Sequence, residues 1–239
     1  MSGDERALQR VVVVGLGGIG GWLLRLLMPF LHSRREAVTL LAIDGDTFEL
    51  RNLSRMAFEE LGPKAVVLCE ELAAVYDGVV SLVPVPAYLD RANVGELIGE
   101  DDVVFCQPDN HATRRLVDEH CATLSDVVLF SSGNEGVNDE SHGTFGNVQV
   151  YSREDGCDVT NRITRFHPEI SEATDPLPTE AGCGAVVADN PQLVFTNASV
   201  AAASLAAFYA WLTRRLEYEE CYLDIVAGRA SPVSRKIGA

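Results

Sequence analysis

Paired cysteines are missing from this chain. Its six cysteines, at 69, 106, 121, 157, 183 and 221, form no CxxC pair and keep no metal-ligand spacing with the five histidines. Neither a structural zinc site nor a disulfide framework is expected, and the thiols read as reduced. Basic charge is scarce too: 19 lysines and arginines face 35 aspartates and glutamates, a net charge of −16. That balance disfavours nucleic acid or an anionic membrane surface as the main partner. No apolar run approaches the roughly 18 to 20 residues that span a bilayer, and the opening MSGDERALQR is too polar for a secretory signal. A cytoplasmic protein with no membrane partner is expected. No internal repeat or low-complexity linker divides the sequence, so its 239 residues read as a single α/β domain over 1–239.

What is present is an alternation of strand-like and helix-like segments. Residues 10–15 form a continuous apolar run ending in glycine, as a central parallel strand does, and residues 18–31 read as a helix that is apolar almost all round. Further strands are expected over 37–43, 79–85, 102–106 and 127–131, and further helices over 62–76, 90–98 and 110–124. This order predicts a Rossmann-like, doubly wound, mostly parallel sheet with helices on both faces. After residue 131 the pattern changes. Residues 146–151 suit one more strand, but residues 152–181 are polar, contain three prolines and show no period. They read as a long, mobile loop. A strong helical signal returns over 190–216, and residues 221–226 suit a late strand before a polar tail, which together make a C-terminal extension.

Between the first strand and first helix stands Gly15-Leu16-Gly17-Gly18-Ile19-Gly20. Gly15, Gly17, Gly18 and Gly20 satisfy GxGxxG in the context that gives the motif meaning: a tight turn, backbone open to a phosphate, and a helix N-terminus whose free N–H groups and dipole favour an anion. Asp44 ends the second strand, where a carboxylate can accept hydrogen bonds from ribose hydroxyls. NAD and ATP both carry that ribose, so these features alone leave an NAD(P)-dependent oxidoreductase open. The following residues favour a triphosphate: Asp44-Gly-Asp46, then Asn52-Leu53-Ser54-Arg55, then Gly62-Pro63-Lys64. Arginine and lysine neutralise phosphate oxygens and the charge that builds on them during transfer, and an asparagine can bond to phosphate or ribose oxygen.

These motifs, in this order, resemble the ThiF/MoeB/HesA family, bacterial relatives of the ubiquitin-activating E1 enzymes. The family pattern GxGGxG, D-x-D, N-L-x-R-Q, G-x-x-K and D-N-x-x-T-R meets GLGGIG, DGD, NLSRM, GPK and Asp109-Asn110-His111-Ala112-Thr113-Arg114 here. The resemblance covers residues 11–150 and, more loosely, the stretch from Cys183 onward.

The resemblance implies an ATP- and Mg²⁺-dependent adenylyltransferase that activates the C-terminal carboxylate of a small ubiquitin-like (β-grasp) protein or peptide, and a homodimer. It implies Asp109 as the Mg²⁺ ligand, Asp44 on the ribose, and Asn52, Arg55 and Lys64 on the phosphates. Asp46 would support that loop, Asn110 would lie at the nucleotide and Arg114 would brace the helix after Asp109. Arg55, Lys64 and Asp109 would carry the chemistry, with Cys183, in Ala-Gly-Cys-Gly, as an acceptor thiol and Cys157 as a weaker one. No Ser-His-Asp set is needed, because adenylation asks for positioning and charge neutralisation. Two departures stand out. Met56 replaces the family glutamine, and only ten residues precede the first strand, leaving Arg6 or Arg10 to stand in for an arginine that relatives carry on a longer leading helix. These departures suit a further alternative, a nucleotide-binding scaffold that keeps the fold without turnover.

Overall fold

Four consecutive valines, Val11 to Val14, fill β1 (Arg10–Val14) and are buried. Side chains alternate across a strand, so Val11 and Val13 enter one core and Val12 and Val14 another. A strand buried on both faces needs a covered sheet. The computed structural model describes residues 5–76, 78–138, 141–180 and 191–235 and shows that sheet. β2 (Val38–Ile43), β3 (Val80–Val85), β4 (Asp102–Cys106) and β5 (Val127–Asn134) join β1 in parallel, in the order β3-β2-β1-β4-β5. Val11 pairs with Leu40 on one side and Val103 on the other. The first core lies under α1 (Gly18–Arg34), α2 (Lys64–Ala73) and α6 (Val194–Leu212). The second lies under α3 (Val94–Leu97), α4 (His111–Cys121) and α5 (Pro168–Ser171).

Beyond β5 the sheet turns antiparallel. β6 (Phe145–Glu154) pairs with β5, β8 (Glu220–Asp224) with β6, and β9 (Arg229–Val233) closes the edge; the short β7 (Cys157–Asp158) folds back on β6. The strand expected over 146–151 is thus longer at both ends, and β9 occupies what reads in sequence as a polar tail.

The segment that reads in sequence as a long, mobile loop over 152–181 carries β7, the short helix α5 and buried anchors within 152–180. Ile163, Ile170 and Leu177 are buried in the second core, each worth roughly 1.5–3 kcal/mol of apolar burial. Asp118 of α4, fully buried, accepts hydrogen bonds from Arg162 Nε (3.0 Å) and Nη2 (2.7 Å), from the Ile163 N–H (3.1 Å) and from Thr164 Oγ1 (2.7 Å). Near α5, His167 lies between Glu169 (2.8 Å) and Glu220 (2.6 Å), and Arg235 reaches Glu220 at 2.6 Å. The order in this segment comes from a carboxylate on a distant helix and from anchors with no helical or strand period, so it left no local signature.

α6 corrects another expectation. It is 19 residues long with a mean hydropathy of 1.2, long and apolar enough by length and composition to cross a membrane. In the fold Val200, Ala201, Ala207, Phe208 and Leu212 are buried in the first core. Phe208 packs edge-on to Phe30 of α1 (5.9 Å) and to Phe105 of β4 (5.6 Å). Small residues let α6 sit close: Ser204 Oγ lies 3.1 Å from Ser132 Oγ. A methyl on Gly146 of β6 would collide with Val200, and one on Gly18 with Asn197.

Candidate active site

A cavity of about 520 Å³ opens across the carboxyl ends of the parallel strands and extends along β6 and β8, where open α/β sheets place ligands. Its floor is the glycine turn. Gly15 has a φ of +82°, and a Cβ there would stand 2.8 Å from the Pro108 nitrogen, so the turn passes tightly against the end of β4. Gly20 serves packing: a Cβ would strike the Gly15 carbonyl, and Gly20 does not line the cavity, contrary to its expected place at the nucleotide. Gly17 does line it, with nothing within 4 Å of where a side chain would start. Here the backbone is open to a ligand, beside the N-terminus of α1.

Asp44 holds this turn in shape. Its Oδ2 accepts from the Leu16 N–H at 2.6 Å and its Oδ1 from the Asp46 N–H at 2.8 Å. Burial pushes its carboxyl up. Asp46 accepts from Lys64 Nζ at 2.8 Å and from the Tyr88 hydroxyl. Burial pushes this carboxyl up too, but Lys64 and Tyr88 outweigh it and hold it below its ordinary value. Lys64 is the first residue of α2, its N–H bonded to the Asp46 carbonyl at 2.9 Å, so backbone and side chain join the same two residues. Arg55 borders the cavity and its carbonyl accepts from Trp22 Nε1 at 3.2 Å.

Asp109 and Asn110 divide two tasks. Asn110 is the N-cap of α4: its Oδ1 accepts from the Thr113 N–H at 2.7 Å, and its Nδ2 donates to the Pro176 carbonyl at 2.8 Å. Asn110 borders the cavity with its amide engaged within the protein. Asp109, relieved of capping, presents an exposed carboxylate to the cavity at the end of β4. The chain leading into Asp109 is braced from α4: Arg114 Nε and Nη2 donate to the Pro108 carbonyl (3.0 and 2.8 Å), and Nη2 also to the Ser132 carbonyl of β5 at 2.6 Å. Burial lowers the Arg114 pKa.

Other expected residues stand elsewhere. Asn52 is buried and its Oδ1 accepts from the Glu49 N–H at 2.9 Å, capping the short 3₁₀ turn Leu50–Ser54 away from the cavity lining. Met56 is buried in the first core, and a Cβ on Gly21 of α1 would approach its Cε to 2.8 Å, so an apolar anchor fills the family glutamine position. Arg6 pairs with Glu154 at 2.5 Å and lies over Trp211, while Arg10 pairs with Asp102 at 2.6 Å at the amino end of β1, opposite the cavity. Neither lines the cavity. Cys157 is exposed on β7, also outside the lining, and Cys183 lies outside the described residues.

The lining also holds residues that the sequence reading did not single out: Tyr88 after β3, beside Asp46, and, on the far side, Asn134 at the end of β5, Asn147 and Gln149 on β6, and Glu169 on α5. Tyr88 was findable from its place just past a parallel strand's carboxyl end. The others are brought in by tertiary packing. Asp44, Asp46 and Asp109 make the phosphate end acidic, so a triphosphate would be repelled without a divalent cation between them. Among the described residues no cluster of three or more His, Cys, Asp or Glu side chains could hold a metal. Mg²⁺ carried on phosphate oxygens takes only one or two protein carboxylates, and Asp109, with Asp46 held by Lys64 and Tyr88, is the lining residue that suits it.

Comparison with known proteins agrees with this architecture. A family model described as the ThiF family matches residues 5–221. The SAMP-activating enzyme E1 of Haloferax volcanii is 36% identical over 127 residues, 50% of this chain and 44% of that protein. The molybdopterin-synthase adenylyltransferase of Escherichia coli is 28% identical over 163 residues, 67% of this chain and 60% of that one. The chain spans about half the length of the curated relatives it matches. E. coli MccB, solved with ATP, superposes with a TM-score of 0.66 at 15% identity, covering 95% of this chain and 64% of its own. E. coli tRNA N6-threonylcarbamoyladenosine dehydratase gives 0.55 at 16% identity, over 86% and 88%. These two likenesses concern the fold. With the family model spanning all of the parallel sheet and its glycine turn, the chain belongs to the ThiF family.

Proposed function

We propose that this chain binds ATP with Mg²⁺ across the cavity and activates the C-terminal carboxylate of a small ubiquitin-like protein or peptide as an acyl adenylate. The observation that carries the reading is the division between Asn110 and Asp109, which leaves the Asp109 carboxylate exposed at the end of β4, free of capping, in a cavity lined by Gly17, Arg55 and Lys64. Ribose would lie at Asp44 and the phosphates over the Gly17 turn, with Lys64 and Arg55 neutralising their oxygens. Mg²⁺, when bound at Asp109, adds charge neutralisation on the same oxygens. The substrate carboxylate attacks the α-phosphorus, the bond to the bridging oxygen breaks, and pyrophosphate leaves. The protein contributes position and preorganised charge.

Support also comes from relatives: the Haloferax protein is a SAMP-activating enzyme, and the matching Thermus thermophilus protein is a sulfur carrier protein adenylyltransferase. Attack of the Cys183 thiolate on the acyl carbon, forming a thioester as the acyl–phosphate bond breaks and AMP leaves, and assembly as a homodimer complete the proposal. Calorimetric titration with ATP and Mg²⁺, beside NAD⁺, tests it on the wild type and on Asp109→Ala. Mg²⁺-dependent ATP binding that weakens about 10- to 100-fold in the variant is expected, the size of a charge-assisted contact. Binding of NAD⁺ instead, unaffected by Asp109→Ala, would overturn it. With a carrier protein in hand, pyrophosphate exchange then reads the adenylation step.

A further inference from the structure

Tyr88, in the cavity lining, holds its ring flat against Gly45. A Cβ built on Gly45 would lie 2.5 Å from Tyr88 Cγ, 2.6 Å from Cδ2 and 2.7 Å from Cδ1. Near-equal approach to three adjacent ring atoms means that Gly45 lies under the ring face, and any larger residue there would push the ring away. The hydroxyl is pinned to Asp46, the residue that also holds Lys64. One face is therefore covered and the far end fixed, while Tyr88 keeps 36% of its surface exposed and lines the cavity beside Ala87 and Leu89. Gly45 directly follows Asp44, the carboxylate suited to ribose. A ring fixed in orientation before binding loses little entropy when a second ring stacks on it.

We infer that Tyr88, seated on Gly45, is the platform on which the nucleotide base stacks, a specificity-determining position that ties base binding to the Asp46–Lys64 pair. The inference rests on the proposed nucleotide site. It assigns to a tyrosine and a glycine a role that the motif residues do not fill: the motifs grip ribose and phosphate, and the base needs its own surface. Stacking on an aromatic face tolerates different bases, so Tyr88 should favour nucleotides over bare phosphate chains rather than one base over another.

The test uses 2-aminopurine riboside triphosphate with Mg²⁺, whose emission is quenched when its base stacks on an aromatic ring, and tripolyphosphate as a ligand without a base. Wild type and Tyr88→Phe should quench the probe. Tyr88→Leu should lose the quench and about ten-fold in nucleotide affinity, with tripolyphosphate affinity unchanged. Undiminished quenching in Tyr88→Leu overturns the platform while leaving the nucleotide site standing. Equal loss of tripolyphosphate and nucleotide also overturns it, because Tyr88 would then act only through Asp46 and Lys64. A wild type that binds neither ligand defeats the proposed function itself, and the platform with it.

Discussion

The two ends of the cavity are built by different means. At the β1–β5 end, parallel strands finish in short turns, and main-chain groups do most of the shaping: Asp44 grips two backbone N–H groups and Gly15 presses against Pro108. At the β6–β9 end, the wall comes from antiparallel strands and a segment held by side chains, with Asp118 clasping Arg162, Ile163 and Thr164 and His167 wedged between two glutamates. Backbone clamps leave little room for substitution, because the bonds they make do not depend on which side chains stand nearby. Side-chain clasps can be exchanged one at a time, so the second end is the one that substitution can reshape.

The contrast can be broken most severely at Asp118. Asp118→Ala leaves a partly exposed arginine head, a buried main-chain N–H and a hydroxyl without their acceptor, a loss of about 3–5 kcal/mol at one to three per unsatisfied group. A melting point lower by about 10 °C is expected, with protease cleavage appearing first within 160–180. If cleavage instead begins near the glycine turn, the two ends are not separately held.

The His167 clasp sharpens the comparison through pH. Burial lowers the His167 pKa, but Glu220 and Glu169 outweigh it and raise it above the ordinary 6.5. The charged form is favoured in the fold, so the clasp contributes fully below pH 6.5 and is lost as pH rises through the raised value. Glu220 works in the opposite direction. Burial raises its carboxyl, yet His167, Tyr222 and Arg235 together hold it down at about 2, so its contribution is present above 4.5 and fades as pH falls toward 2. The melting-point gap between wild type and His167→Gln should be widest between pH 4.5 and 6.5, narrowing toward pH 9. A gap independent of pH would remove charge from this clasp.

The smallest effect falls at the cap. Asn110→Ala should cost about 1 kcal/mol of stability and leave ATP affinity nearly unchanged, measured by calorimetry beside a thermal melt. A large loss of affinity with little change in melting point would return Asn110 to the nucleotide.

The same contrast explains what the sequence could reveal. The phosphate end was legible because its work is local: a glycine turn, a strand-end aspartate and a lysine opening a helix are short motifs whose spacing is the structure. Even there, identity outran role, since Asn52 and Asn110 turn inward to satisfy main-chain N–H groups and Gly20 packs against Gly15. The other end was illegible because Asp118 and Arg162 are separated by 44 residues, and Gln149 and Glu169 meet at the cavity only after β6 and α5 are in place. α6 eluded the hydropathy reading because serines, threonine and asparagine interrupt its run, and those small side chains are what allow it to lie so near the sheet.

That helix touches no part of the cavity's chemistry, yet both banks lean on it. Gly18 of the glycine turn abuts Asn197, and Gly146 near the start of β6 abuts Val200, neither with room for a methyl. One rigid bar thus sets the span between them, as an abutment sets the width of an arch. Added bulk on that bar at Asn197 or Val200 would press on the two banks, with every residue that lines the cavity left as it was.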